Sequence, residues 1–262
     1  RKFVTTPNRV SLFGIPLVVD SLPYQTQDVG VGACASAALW VTLQPLQYLF
    51  QTPDLALSEI TQRSAAFPSE ARISPSEGLT ISQIISFIDS LGLDAEVIAA
   101  SRRSGEVIVQ DVARAYASCG LPVIATLELA AGSAESYHAV VLSGYRRNES
   151  HDITELYVHD DQIGPYSRAE PDSSFSEWNN EWKSVFGYTR VRVDKLIVPV
   201  YPKIRLTFGR IYPIYLNQKG SLKADGLGAY LFLTQINDYK RELWRSKLSS
   251  NKAEILMAHL PR

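Results

Sequence analysis

The chain has 262 residues, of which 45% are apolar and 20% charged, and its 26 basic and 27 acidic side chains give a formal charge of -1. Because the charges balance and no run of like charge occurs, the sequence has no basic cluster of the kind that binds nucleic acid. The longest apolar runs, such as 15–19 and 139–142, are far shorter than the roughly 20 residues of a membrane helix. We therefore expect a globular protein with neither a nucleic-acid nor a membrane partner.

The number of cysteines indicates the redox environment of the protein, and the absence of common catalytic motifs excludes several classes of enzyme. Cys34 and Cys119 can form at most one disulfide, which is too few to hold a scaffold together, so we expect a reducing, cytoplasmic environment. The sequence lacks a Gly-x-Ser-x-Gly elbow, a Walker loop, a dinucleotide fingerprint and a His-Glu-x-x-His motif, so no cofactor or metal is expected. Because the chain begins at Arg1 without an initiating Met, we interpret it as trimmed or fragmentary.

In chain order, helical patterns come first and strand patterns follow. The predicted elements are one or two strands in 10–22, helices at 34–49, 57–66, 80–91 and 107–118, and strands at 93–99, 121–129, 137–145, 155–160 and 188–200. We expect Pro45 to interrupt or end the first helix, Ser58 to cap the second and Gly92 to stop the third. The strands at 137–145 and 155–160 are predicted to form a hairpin.

This order predicts an α+β fold in which N-terminal helices pack on an antiparallel sheet. We predict a catalytic domain over residues 1–200 and a smaller C-terminal extension of unknown role over 201–262, with Pro202 at the boundary. The extension is expected to contain a strand around 206–216 and a helix around 231–248, and it supplies no candidate catalytic group.

Cys34 is the candidate nucleophile because it lies where a glycine-containing loop meets the start of a helix. The first turn of a helix favours the thiolate form, which is the reactive form of a cysteine. The alternative is a buried core cysteine, since free cysteines are often buried. Cys119 ends an amphipathic helix before Gly120, where a packing role is sufficient.

His138 is the candidate base among four histidines, because it begins a strand after a polar stretch. His159 ends the next strand, and alternation predicts that it faces away from Asp160. A metal site built from the two histidines with Asp160 and Asp161 is conceivable, but an orienting role explains the acidic pair as well. Trp178 and Trp182, four residues apart, either shield the catalytic pair or belong to the core.

The order of these residues resembles that of papain-like cysteine peptidases, and more narrowly the C39-like branch. The segments that carry the resemblance are Gln27 with Cys34-Ala35-Ser36-Ala37-Ala38-Leu39, His138-Ala139-Val140-Val141-Leu142-Ser143-Gly144-Tyr145, and Tyr157-Val158-His159-Asp160-Asp161. The resemblance covers about residues 16–165. The sequence departs from the family in having Ala35 after the cysteine, Gln27 seven residues before it, and Asp161 where proline is usual, so Gln25 and Asp161 stay open as alternatives.

By this resemblance the chain is a cysteine peptidase acting on a peptide or protein through an acyl-thioenzyme. Cys34 would attack the carbonyl and His138 would carry the proton, while Asp160 would orient the imidazole. Gln27 and the Cys34 backbone N–H would stabilise the oxyanion. Two alternatives share the fold, an acyltransferase and a non-catalytic peptide-recognition module. Asp160 is preferred to Asp161 because neighbouring strand residues face opposite sides, and Asp161 is expected to cap the following turn.

Overall fold

The strands and helices follow the predicted order closely. A computed structural model of the chain describes residues 1–26, 33–68, 78–100, 108–150, 152–202 and 207–224. The strands of this part are β1 (Lys2–Phe3), β2 (Thr6–Leu12), β3 (Ile15–Ser21), β4 (Asp94–Ala99), β5 (Val123–Ala131), β6 (Ala134–Arg147), β7 (Ile153–Asp160), β8 (Gly164–Pro171), β9 (Trp178–Asn179) and β10 (Arg190–Val200). The helices are α1 (Cys34–Phe50), α2 (Leu57–Ala65), α3 (Ile81–Ser90), α4 (Ile108–Ser118), α5 (Glu181–Ser184) and α6 (Phe208–Ala224).

An antiparallel sheet carries helices α1 and α4 against its middle strands. The strand order is β4-β10-β5-β6-β7-β8-β9, and β1 pairs with β6 outside this path. The predicted hairpin is present as β6 and β7, with Val141 opposite His159. The α+β architecture predicted from the sequence is therefore confirmed. Strand β8 was not predicted, because its residues are mostly polar or partly exposed and show little β-branched character.

Helix α1 runs through Pro45 without ending there, so the predicted interruption is wrong. Proline inside a helix costs roughly 3 kcal/mol, but the burial of Leu39, Leu43 and Leu46 offsets this cost. The helix ends at Gln51, which has a left-handed backbone conformation. Helix α2 is also capped differently from the prediction, because Ala56 precedes its first turn and donates its N–H to Glu59 Oε2 at 2.9 Å.

The strand predicted around 206–216 is a helix, α6. Phe208, Tyr212 and Tyr215 recur at intervals of four and three residues, and all three are buried. The Tyr212 hydroxyl donates to Asp111 of α4 at 3.0 Å, and the Phe208 N–H donates to the Tyr116 hydroxyl at 3.3 Å. Aromatic content suggested a strand, but the spacing of the aromatics is helical. The helix predicted at 231–248 lies outside the described residues, and the division into 1–200 and 201–262 stays a prediction.

Within the described ranges, no helix combines the length and the apolar character needed to cross a membrane.

Candidate active site

Three neighbouring elements bring Cys34, His138 and Asp160 together. Cys34 is the first residue of α1, and α1 packs against β6, which carries His138. Asp160 is the last residue of β7, the strand paired with β6. Small side chains at Ala35 and Ala38 are buried under the helix and allow it to lie close to the sheet.

The buried imidazole of His138 lies next to both candidate partners. Its Nε2 atom lies 3.1 Å from Asp160 Oδ1, and His138 lines the same cleft as Cys34. Burial alone would lower the pKa of His138, but the hydrogen bonds and negative charge of Asp160 and Cys34 raise that pKa to about 10. The arrangement therefore favours a protonated imidazole between a sulfur atom and a carboxylate.

Asp160 is fully buried and its two oxygens are saturated with donors. Oδ1 accepts the N–H groups of Gln162 at 2.9 Å and Ile163 at 3.3 Å, in addition to His138. Oδ2 accepts the indole N–H of Trp182 at 2.6 Å. Burial alone would raise the pKa of Asp160, but these hydrogen bonds and the charge of His138 hold it below its ordinary value. Asp160 is therefore built to remain ionised.

Trp182 belongs to the site, whereas Trp178 belongs to the core. The Trp182 ring lies 4.8 Å from the His138 ring, centroid to centroid, and is buried. It covers the hydrogen bond between His138 and Asp160 and keeps its own N–H on the carboxylate. Trp178 is also buried but donates its N–H to the Phe175 carbonyl at 3.1 Å. The sequence left both roles open, since spacing alone does not separate them.

Asp161 lies beside the same imidazole but is bound differently. Its Oδ1 is 3.5 Å from His138 Nε2, and within the described part of the chain neither of its buried oxygens has a hydrogen-bond partner. Burial and the neighbouring charge of Asp160 raise the pKa of Asp161 to about 6, against the opposing effect of His138. The expectation that Asp161 caps the turn is wrong, because Asp160 accepts the turn N–H groups.

Two cavities meet at Cys34. The larger is a cleft of about 420 Å³ with Cys34 and His138 in its wall. Its other lining residues are Ala35, Gly78, Leu79, Thr80, Ile81, Ile84, Thr126, Tyr137, Ala139, Asp194 and Lys195. The smaller, of about 10 Å³, lies among Tyr24, Gln25, His159 and Asp161 and has room for roughly one water molecule. The cleft is thus the space where a substrate can reach the sulfur.

The candidate oxyanion glutamines are placed differently. Gln27 lies outside the described residues, so its position beside Cys34 stays a prediction. Gln25 lines the small cavity together with Cys34, and its side-chain amide donates to the Thr26 carbonyl at 3.3 Å. The backbone N–H of Cys34 lies in the first turn of α1, where N–H groups have no partner within the helix.

His159 anchors the segment that leads to Cys34. The Tyr166 N–H donates to His159 Nδ1 at 3.4 Å, and His159 Nε2 lies 3.4 Å from the Leu22 carbonyl oxygen. The Leu22 N–H in turn donates to the Tyr166 hydroxyl at 2.8 Å, and the Tyr24 hydroxyl donates to the Asp161 carbonyl at 3.3 Å. Burial lowers the pKa of His159 to about 4. Sequence reasoning missed this anchor, because its partners are backbone groups far apart in the chain.

One group of three possible metal ligands occurs among the described residues, namely His138, Asp160 and Asp161. Their donor atoms all lie within 4.8 Å of one another. Since both oxygens of Asp160 already accept N–H groups, an oriented imidazole accounts for this cluster.

Comparisons with known proteins give only a distant likeness. No protein-family model matches the chain, and no curated protein matches it. One similar solved structure is the peptidase domain of Streptococcus ComA, a bifunctional ABC transporter involved in a quorum-sensing pathway. It is 14% identical, with 68% of this chain and 96% of that chain covered and a TM-score of 0.39. Another is a double-glycine-motif protease from an AMS/PCAT transporter in complex with the leader peptide, also 14% identical, with 68% and 91% covered and a TM-score of 0.36.

Proposed function

We propose that the chain is a cysteine peptidase in which Cys34 is the nucleophile, His138 the proton carrier and Asp160 the orienting carboxylate. The observation that carries the proposal is that the buried imidazole of His138 is hydrogen-bonded to Asp160 and lines the same cleft as Cys34. A nucleophile, a base within hydrogen-bond reach and a third group that orients the base are the signature of covalent catalysis.

The resting state in this mechanism is a thiolate beside a protonated imidazole, consistent with the raised pKa of His138. The sulfur of Cys34 attacks the substrate carbonyl carbon, and the oxygen becomes an oxyanion near the Cys34 backbone N–H. His138 gives its proton to the departing amine as the C–N bond breaks, which leaves a thioester. Water then attacks the thioester, His138 accepts its proton, and the acid is released as Cys34 regains its starting form.

Asp160 and Trp182 prepare the imidazole for both steps. Asp160 binds the His138 ring through Nε2 and stabilises the positive charge of the imidazole. The remaining lone pairs of the Asp160 carboxylate accept hydrogen bonds from Gln162, Ile163 and Trp182. The Trp182 ring excludes water from this hydrogen bond, and a low local dielectric strengthens it. The cleft of about 420 Å³ is large enough to take a peptide side chain next to the scissile bond.

A peptide-library digest tests the proposal. Wild-type protein and a Cys34→Ser variant are incubated with a diverse peptide pool and the products are identified by mass spectrometry, with Cys119→Ser as the matched control. We expect cleavage by the wild type and by Cys119→Ser but not by Cys34→Ser. Adding a simple primary amine measures how the acyl-thioenzyme divides between water and an amine, because a hydrolase should still give mostly acid at low amine concentration, whereas an acyltransferase should give mostly amide. Absence of Cys34-dependent chemistry on every pool, together with an unreactive Cys34, contradicts the proposal and favours the recognition module.

A further inference from the structure

The turn between β2 and β3 carries a residue that the turn itself disfavours. Thr6 to Leu12 pairs with Ile15 to Ser21, so Phe13 and Gly14 form a two-residue hairpin turn. Both have positive φ, 50° at Phe13 and 84° at Gly14. Such turns prefer Asn-Gly or Asp-Gly, because a bulky side chain is strained in the left-handed region. The Phe13 side chain is also 97% exposed, so no packing within the described protein offsets this strain.

The apolar residues of this hairpin surround its tip. Cross-strand partners share a face, so Leu12 with Ile15 and Val10 with Leu17 form an apolar stripe on one side. Val18 is exposed on the opposite face, beside Pro16. The exposed fractions of Val10, Leu12, Ile15, Leu17 and Val18 lie between 41% and 67%. Exposed apolar residues scattered singly are ordinary, but a continuous group of this kind marks a binding surface.

Most polar residues of the hairpin lie towards its base, where it joins the domain, whereas Ser11 lies next to Leu12 near the tip. Asn8 donates to the Ser21 carbonyl at 2.6 Å, and the Thr6 hydroxyl donates to the same carbonyl at 3.1 Å. Of its two charged residues, Asp20 lies opposite Pro7 near the base, and Arg9 lies opposite Val18. Strands β2 and β3 make their main contacts with each other. The hairpin is therefore an arm with a polar base and an apolar end.

The size of this apolar surface and its extension over two faces of the hairpin decide which kind of partner can cover it. A face of two seven-residue strands measures about 23 Å by about 10 Å, so two copies packed face to face bury far less than the roughly 1,200 Å² of a stable interface. A flat partner would also cover only one face and would leave either the stripe or Val18 exposed. A medium that surrounds the tip covers both faces and Phe13 together.

We propose that the tip of the β2–β3 hairpin inserts into the interfacial layer of a lipid bilayer. The distance along the strand from Phe13 to Val10 is about 10 Å, which matches the depth of about 5–10 Å reached by apolar residues at the headgroup boundary. At this depth water and lipid carbonyls can bond the free strand edges, which pure hydrocarbon cannot do. Arg9 and Asp20 cancel in charge, so binding requires no anionic lipid.

Vesicle flotation tests the proposal. The full chain is mixed with phosphatidylcholine vesicles, and we expect it to float with them at high and low salt. Phe13→Asn places the favoured residue in the turn, so it should fold at least as well as the wild type but bind at least about tenfold more weakly. Val185→Asp, which alters an exposed apolar side chain outside the hairpin, should bind normally. Phe13→Trp should bind and be quenched by lipids brominated near the headgroup boundary.

Failure of the wild type to float, or equal flotation of Phe13→Asn, overturns the proposal. A concentration-dependent dimer that Phe13→Asn abolishes, without vesicle binding, overturns it as well and assigns the surface to a second copy. Alkylation of Cys34 should proceed at the same rate in Phe13→Asn, because this inference is independent of the proposed peptidase chemistry.

Discussion

His138 Nε2 lies 3.1 Å from Asp160 Oδ1, and Asp161 Oδ1 approaches the same nitrogen at 3.5 Å. The two carboxylates differ in their other partners. Asp160 is surrounded by N–H donors that stabilise its charge, whereas within the described residues the carboxylate oxygens of Asp161 have no hydrogen-bond partner. Of the two carboxylates beside the imidazole, Asp160 is therefore the one whose ionised form the fold supports.

We expect Asp160→Asn to lower turnover by roughly 10² to 10⁴, because an amide neither fixes the same tautomer nor stabilises the imidazolium. The rate of Cys34 alkylation against pH should shift as well, since the charge of Asp160 raises the pKa of His138. Asp161→Asn is the matched control and should change the turnover and the pH dependence of Cys34 alkylation far less. The reverse ranking, with Asp161→Asn the damaging change, would assign the orienting role to the other carboxylate.

Asp161→Asn should instead stabilise the protein above about pH 6. Burial raises the pKa of Asp161 from 3.8 to about 6, so the folded state holds this proton more tightly than the unfolded state. The contribution of Asp161 to the free energy of unfolding is then greatest below about pH 4 and is lost as the pH rises to about 6. The loss amounts to up to about 3 kcal/mol. Urea unfolding of the wild type and the variant should agree near pH 4 and diverge near pH 7. Equal stability at both pH values would mean that the Asp161 carboxylate is solvated.

The sequence was sufficient to predict the α+β architecture, because the architecture depends on periodicity and on the order of helices and strands. The choice of Cys34, His138 and Asp160 as a catalytic set rested on the resemblance to papain-like peptidases, and it stays a prediction. The sequence did not predict the role of Trp182 or the anchor formed by His159 and Tyr166. Those contacts join residues that no local pattern connects, and several of them end on backbone groups. The prediction of a strand around 206–216 was wrong because aromatic content was given more weight than the helical spacing of Phe208, Tyr212 and Tyr215.

Cys34 should be alkylated by iodoacetamide at least about 100-fold faster than Cys119 near neutral pH. Burial raises the pKa of Cys119 to about 11, and its Sγ donates to the Tyr116 carbonyl at 3.1 Å, so little thiolate is available there. Cys34 opens on the cleft beside His138, whose raised pKa favours the positively charged imidazole. Peptide mapping after a short pulse measures both sites, and a native and a urea-unfolded sample provide the comparison. Similar labelling of the two cysteines in the native protein would contradict the proposed activation.

Trp182→Phe should reduce turnover and stability together. The change removes the 2.6 Å hydrogen bond to Asp160 Oδ2 and leaves a buried carboxylate oxygen without its donor, which costs about 1–3 kcal/mol. Loss of this donor should also raise the pKa of Asp160, because the Trp182 hydrogen bond helps to hold that pKa below its ordinary value. Thiol reactivity against pH and urea unfolding measure the two effects. Trp178→Phe is the control, because it perturbs a buried indole outside the site and should affect stability alone.

His159→Gln should remove part of the acid sensitivity of folding. Burial lowers the pKa of His159 to about 4 from an ordinary 6.5, so the unfolded state binds this proton first as the pH falls. Stability is therefore complete above about pH 6.5 and is lost towards about pH 4, by up to about 3 kcal/mol. A protonated ring also cannot accept the Tyr166 N–H, which loosens the segment before Cys34. The free energy of unfolding of each protein is measured at about pH 7 and at about pH 4.5. Because the other groups titrate equally in both proteins, any difference between wild type and His159→Gln in this pH-dependent change is due to His159. The same pH slope in wild type and His159→Gln would show that this imidazole remains accessible to protons in the folded state.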